Sequence, residues 1–136
     1  MAHILIVEDD PVNAEVAAVI CEGAGHTVSL ARHGEEALVC MARERFDLLL
    51  VDVQMPVMDG LELTRRVRSS SMWAALPLIG VTAKASQADR HAMWEAGMTE
   101  IVTKPYRNQV LRDAIASVLA RPIQDAQASG GGPARV

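Results

Sequence analysis

The chain has 136 residues, half of them apolar, with 13 basic against 17 acidic side chains and a formal net charge of −4. This length suits one domain with a sizeable core. The acidic balance, with no Lys/Arg run, excludes nucleic-acid binding through the phosphate backbone. No stretch of about 18 apolar residues is present to cross a membrane and there is no signal-peptide pattern, so a soluble, cytoplasmic protein is expected.

Five short apolar runs alternate with five helical patterns. The run His3–Val7 leads to Asp10, a plausible N-cap, and Pro11, suited to a first helical position. Val12, Val16, Val19 and Ile20 then form an apolar stripe, ended by Gly23 or Gly25. After Thr27–Ala31, the second helix carries Ala37, Leu38, Met41 and Ala42. The run Asp47–Asp52 precedes a third helix that opens near Asp59 and carries Leu63 and Val67. Leu76–Thr82 precedes a fourth, from about Ser86 to Ala96, stopped by Gly97. Glu100–Lys104 precedes the fifth, whose stripe is Val110, Leu111, Ala114, Ile115, Val118 and Leu119. The remainder, 121–136, holds three consecutive glycines, Pro133 and small polar residues, a composition expected of a disordered tail. Cys21 and Cys40 fall in predicted helices without metal-ligand spacing and read as buried or half-buried reduced thiols.

Strand–helix alternation five times over predicts an α/β fold, a doubly wound parallel sheet with helices on both faces. The first, third and fourth runs are almost continuously apolar, as strands covered on both sides require. Ligands of such sheets gather outside the carboxyl ends of the strands. Glu8, Asp9 and Asp10 end the first strand, Asp52 the third, Thr82 and Ala83 the fourth, and Lys104 and Pro105 the fifth. A lone carboxylate at a strand end is most often a cap or loop residue, and Asp10 and Asp59 are read as caps. The joint occurrence of acids, a hydroxyl and an ammonium at one edge points further. Clustered carboxylates need a shared proton or a cation, and oxygen-only ligands favour Mg2+ over Zn2+. Lys104 and Thr82 supply a charge and a hydroxyl for a phosphoryl group, and Asp52 can be the nucleophile that takes it.

The stretches ILIVEDDPVN, LLLVDVQMPVMDGLEL, PLIGVTA and VTKP resemble the receiver domain of two-component response regulators and hybrid histidine kinases, in order and at family-like spacing, over about residues 3–120. The resemblance implies a receiver domain over 1–120 followed by the tail 121–136, and a five-stranded sheet in the order 2-1-3-4-5. It implies Asp52 as phosphoacceptor and Mg2+ held by Glu8, Asp9, Asp52 and the backbone carbonyl of Gln54. Thr82 is implied as the switch hydroxyl and Lys104 as the phosphoryl-pairing lysine, with a cis Lys104–Pro105 bond. Gly60 fits the turn after the third strand, and Pro56 would rigidify it. A partner histidine kinase or histidine phosphotransfer protein would donate the phosphoryl group, and a phosphorylation-dependent homodimer is a further expected association. Ile101 stands where many members carry an aromatic switch residue, which implies a smaller surface change on phosphorylation.

The fourth helix, taken at 100° per residue, puts Ala85, Ala88, Ala92 and Ala96 on one face for packing on the sheet and Trp94 opposite. The family's surface of fourth helix, fifth strand and fifth helix makes Arg90, Trp94 and Ile101 candidate partner contacts. The expected protein is a phosphorylation-switched signalling domain rather than an enzyme with a turnover substrate. The alternative is a pseudo-receiver interaction module acting without phosphorylation. A flavin-binding electron carrier fits poorly, because acids follow the first strand and the chain has one Tyr and one Phe.

Overall fold

The computed structural model describes residues 1–55 and 58–121. Among them the elements alternate as β1 (His3–Val7), α1 (Pro11–Gly23), β2 (Thr27–Ala31), α2 (Gly34–Arg43), β3 (Leu48–Asp52), α3 (Gly60–Ser69), β4 (Leu78–Thr82), α4 (Gln87–Ala96), β5 (Glu100–Thr103) and α5 (Asn108–Ala120). The strands form one parallel sheet in the order β2-β1-β3-β4-β5. The order expected from the resemblance is the order observed.

Alternation along each strand builds two apolar layers. Leu5, Val7, Leu49, Val51 and Leu78 face α2, α3 and α4 and pack with Ala37, Met41, Leu63, Val67 and Met93. Ile4, Ile6, Leu48, Leu50, Ile79 and Val81 face α1 and α5 and pack with Ala17, Ile20, Leu111, Ile115 and Val118. Full burial of one such side chain stabilises the fold by about 1.5–3 kcal/mol. The helices start where short polar side chains take up free N–H groups: Asp10 accepts from Val12, Asp59 from Glu62 and Ser86 from Asp89. Cys21 is fully buried between α1 and the sheet, and Cys40 is half-buried on α2.

Two helix faces differ from the sequence expectation. α1 buries Ala14, Ala17, Ile20 and Cys21, whereas Val12, Val16 and Val19 are 69%, 46% and 61% exposed. Ile20 is buried as expected, but the rest of the buried face is small, and the three valines are turned outward. On α4 the buried residues are Met93 and Ala96, while Ala88 is exposed and Ala92 half-buried. Of the alanine stripe Ala96 alone is buried, and Met93, outside the stripe, completes the packing face. Gly80 explains why: a Cβ there would collide with Met98 and Met93, so these thioethers fill the space over β4. Trp94, expected opposite the sheet, is half-buried. Val110 of α5 is likewise 48% exposed.

Strand ends shift by small amounts. Asp47 precedes β3 and accepts from the His3 N–H, and Pro77 precedes β4, its carbonyl accepting from Leu49. Trp73 packs partly against the α2–α3 side of the core. Arg121, at the head of the expected tail, donates to the Thr99 carbonyl and pairs with Glu100. Residues 122–136 and Pro56 lie outside the described residues.

Candidate functional site

Parallel register places the carboxyl ends of β1, β3, β4 and β5 side by side. Val7 pairs with Val51, Asp52 with Val81, and Thr82 with Thr103. Each polar residue that follows or ends a strand is thereby delivered to the same edge. The chain then turns sharply: a Cβ on Gly60 would lie 2.7 Å from Val53 Cα and 2.8 Å from the Asp52 carbonyl oxygen. Only glycine lets α3 begin so close to the backbone that carries Asp52.

Glu8, Asp9 and Asp52 each offer a carboxylate oxygen, and these oxygens lie within 4.8 Å of one another. Glu8 and Asp52 are buried and Asp9 is exposed. Lys104 Nζ stands 3.4 Å from Glu8 Oε1 and 3.5 Å from Asp52 Oδ2. Gln54 donates its backbone N–H to Asp52 Oδ1 at 3.2 Å, which fixes the carboxylate from the other side. The Lys104–Pro105 bond is cis, as the resemblance implies.

Glu8 shows how crowded this edge is. Its carboxyl is pushed up from 4.5 to about 7, first by burial, then by a hydrogen bond with Asp52 and by the Asp52 charge. The Asp10 N–H, 3.2 Å from Glu8 Oε2, and the Lys104 ammonium pull in the opposite direction without cancelling it. A divalent cation among these three carboxylates would relieve that repulsion. The donor set is all oxygen and suits a hard ion such as Mg2+. The residues present thus fit the metal.

Thr82 is brought to the edge, one residue beyond the partner of Asp52, yet its hydroxyl is occupied elsewhere. It accepts from the Lys84 N–H at 2.9 Å and donates to the Lys84 carbonyl at 3.0 Å. Of the candidate partner residues, Arg90 is exposed and bonds the Ala85 carbonyl. Ile101 is half-buried against the α2–α3–α4 layer. Neither belongs to the acidic edge. Sequence reasoning did not single out Asn13, Tyr106 and Asn108, which line a cavity of about 400 Å3 together with Glu8, Asp52 and Lys104. Their only signal is proximity in sequence to the acids and to the Lys-Pro pair.

Residues 4–116 match the response regulator receiver domain. The chain belongs to this family. As a receiver domain it is 41% identical, over 102 residues, to an uncharacterised 14.6 kDa protein in the sodA1 3' region of Leptolyngbya boryana, covering 75% of this chain and 78% of that one. It is 35% identical over 113 residues to the sensor histidine kinase RcsC of Salmonella typhimurium. That match covers 83% of this chain but 12% of the kinase, so the chain spans a small part of that relative's length. Among solved structures, a putative response regulator from Chloroflexus aurantiacus superposes with a TM-score of 0.85 at 36% identity, covering 88% of this chain and 98% of that one. The receiver domain of the sensor histidine kinase PA1611 from Pseudomonas aeruginosa, with a magnesium ion coordinated in its active site cleft, gives a TM-score of 0.82 at 33% identity, with the same two coverages.

Proposed function

We propose that this receiver domain takes a phosphoryl group onto Asp52, in a Mg2+-dependent reaction, from a partner histidine kinase or histidine phosphotransfer protein in the cytoplasm. The observation that carries the reading is the convergence of Glu8, Asp9 and Asp52 within 4.8 Å, with the Lys104 ammonium 3.5 Å from Asp52. Glu8, Asp9, Asp52 and the Gln54 carbonyl would hold the metal. When bound, it supplies charge neutralisation for the carboxylates and for the oxygens of the phosphoryl group.

The remaining steps belong to the chain. A carboxylate oxygen of Asp52 attacks phosphorus as the P–N bond of phosphohistidine breaks, and the electron pair stays on the imidazole. The product is an acyl phosphate on Asp52. Lys104 already stands where it can pair with an oxygen of the incoming group, so little reorganisation is needed. Water later attacks phosphorus, returning the carboxylate and releasing phosphate. The domain acts on itself and turns over no separate substrate. The Thr82 hydroxyl, once drawn to the phosphoryl oxygens, abandons Lys84, and the populations of the two conformations shift.

The cavity that Asn13 and Val16 help to line offers a donor protein a route to Asp52. The outward valines of α1 continue from that mouth as an apolar strip, which a donor helix would cover.

Incubation with a small phosphodonor and Mg2+ should add about 80 Da, the mass of HPO3, and Asp52→Asn should abolish the gain. An Asp52→Asn chain that gains this mass at the wild-type rate overturns the assignment. Replacing Val12 and Val19 by Lys should slow transfer from a protein donor about tenfold or more while leaving reaction with the small donor and thermal stability unchanged.

A further inference from the structure

We propose that the end of the sheet opposite Asp52 carries a binding groove for a single-chain fatty-acid carboxylate, with the acyl chain against Phe46 and Trp73 and the head group on Arg43 and Arg45.

The groove, of about 650 Å3, opens at the amino ends of β3 and β4, beside the carboxyl ends of α2 and α5. That volume is in the range of small-molecule sites. Its apolar walls are Met41, Phe46, Trp73, Leu76, Val118 and Leu119. Met41, Phe46 and Val118 are buried and the other three half-buried, while Met72, which also lines the groove, is 79% exposed. Large apolar side chains gathered open to water mark binding surfaces.

Both connections that frame the groove are fixed. Between α2 and β3, the Glu44 N–H donates to the Cys40 carbonyl, the Asp47 N–H donates to the His3 carbonyl, and His3 Nδ1 stands 3.1 Å from the Arg45 carbonyl. The Phe46 ring lies against His3, centroids 4.5 Å apart. Between α3 and β4, the Trp73 N–H donates to the Ser70 carbonyl and the Leu76 N–H to the Trp73 carbonyl. The Arg68 guanidinium donates to the Leu76 carbonyl at 2.7 Å. A groove with walls so tied spares its ligand the cost of ordering them.

Charge selects the ligand. The chain is acidic overall, yet Arg43, Arg45 and Arg121 line this groove, with Glu44 and Asp47 as the acids. Asp47 accepts the His3 N–H at 2.8 Å, Glu44 faces His3 Nε2 at 3.6 Å, and Arg121 pairs with Glu100. Arg43 and Arg45 are exposed, and among the described residues their guanidinium groups have no ion-pair or hydrogen-bond partner. Two such groups beside an apolar groove complement a molecule with one acyl chain and one carboxylate, which a guanidinium binds through two parallel N–H···O bonds. A cationic amphiphile meets the wrong sign.

Calorimetry of the full chain with octanoate, decanoate and dodecanoate, all below micelle formation, tests the groove. Saturable one-to-one binding should tighten about tenfold with each two carbons added. Dodecyltrimethylammonium should bind more weakly than dodecanoate by about tenfold or more. Arg43→Glu and Arg45→Glu together should weaken dodecanoate binding about tenfold or more, and Arg43→Lys with Arg45→Lys should weaken it less. Ala42→Trp, at an exposed position lining the groove, should abolish binding while the melting temperature and the gain of phosphoryl mass stay as in wild type. Absence of saturable dodecanoate binding overturns the proposal, as does equally tight binding of dodecyltrimethylammonium. So does dodecanoate binding that survives both the double Glu variant and Ala42→Trp. Sedimentation with anionic phospholipid vesicles without binding of monomeric dodecanoate would give the groove to a membrane and overturn it. A dimer that Ala42→Trp dissociates would give it to a second copy, and dodecanoate binding seen only in Ile123→Lys would give it to the chain beyond Arg121; each overturns it too.

Discussion

Glu8 is one of three carboxylates crowded at the strand ends, and its proton shows the crowding. Its folded value of about 7 exceeds the ordinary 4.5, so the metal-free folded chain keeps a proton that the unfolded chain releases. The stability it contributes is complete below about pH 4.5 and is lost as pH rises through about 7. Glu8→Gln should therefore raise the melting temperature of the metal-free protein at pH 8, most clearly in low salt; an unchanged or lower value would contradict the burial argument. Metal binding must displace the same proton. Calorimetry should show Mg2+ binding weakening about fivefold between pH 7 and pH 6, with a smaller slope in Glu8→Gln. Lys104 faces both buried carboxylates, so Lys104→Ala should slow the gain of the phosphoryl mass about 10- to 100-fold without preventing it.

Elements explain how those residues meet, and here the sequence was readable to different depths. The run Asp47–Asp52 and its neighbours read as buried parallel strands, and strand-end chemistry alone assigns Glu8, Asp9, Asp52, Thr82 and Lys104 to one edge. Helix faces were less legible. The Val12–Val16–Val19–Ile20 stripe has the right period for a core face, yet of it only Ile20 meets the core, where close helix–sheet packing selected Ala14, Ala17 and Cys21 beside it. Periodicity reports which residues share a side, not which side touches the sheet. The role of Met93 was equally hidden, because it depends on Gly80, distant in sequence and adjacent in space. Nothing local singles out Arg68, because the carbonyls of Trp73, Leu76 and Gly97 that it serves are brought together only by the fold. At this scale Gly60→Ala is the sharpest test. Its Cβ meets backbone, not a side chain that can swing away, so unfolding experiments should find a loss of about 2 kcal/mol or more, together with impaired phosphorylation as Asp52 is displaced.

For the whole molecule, two apolar layers on one sheet make the fold cooperative, and the site occupies the rim where both layers end. Leu49→Ala and Ile79→Ala, in opposite layers and both without exposed surface, should each cost about 2–5 kcal/mol in denaturant unfolding. The two thiols give that cooperativity a chemical readout. Cys21 has no accessible surface and its thiol is pushed up to about 11, by burial and then by Glu22, while Cys40 is partly open on α2. A maleimide at neutral pH should therefore attach once to the native chain and twice to any molecule that has opened. The ratio of singly to doubly tagged mass is a built-in tally of folded molecules, obtainable from the wild-type sequence without a dye, a tag or an engineered cysteine.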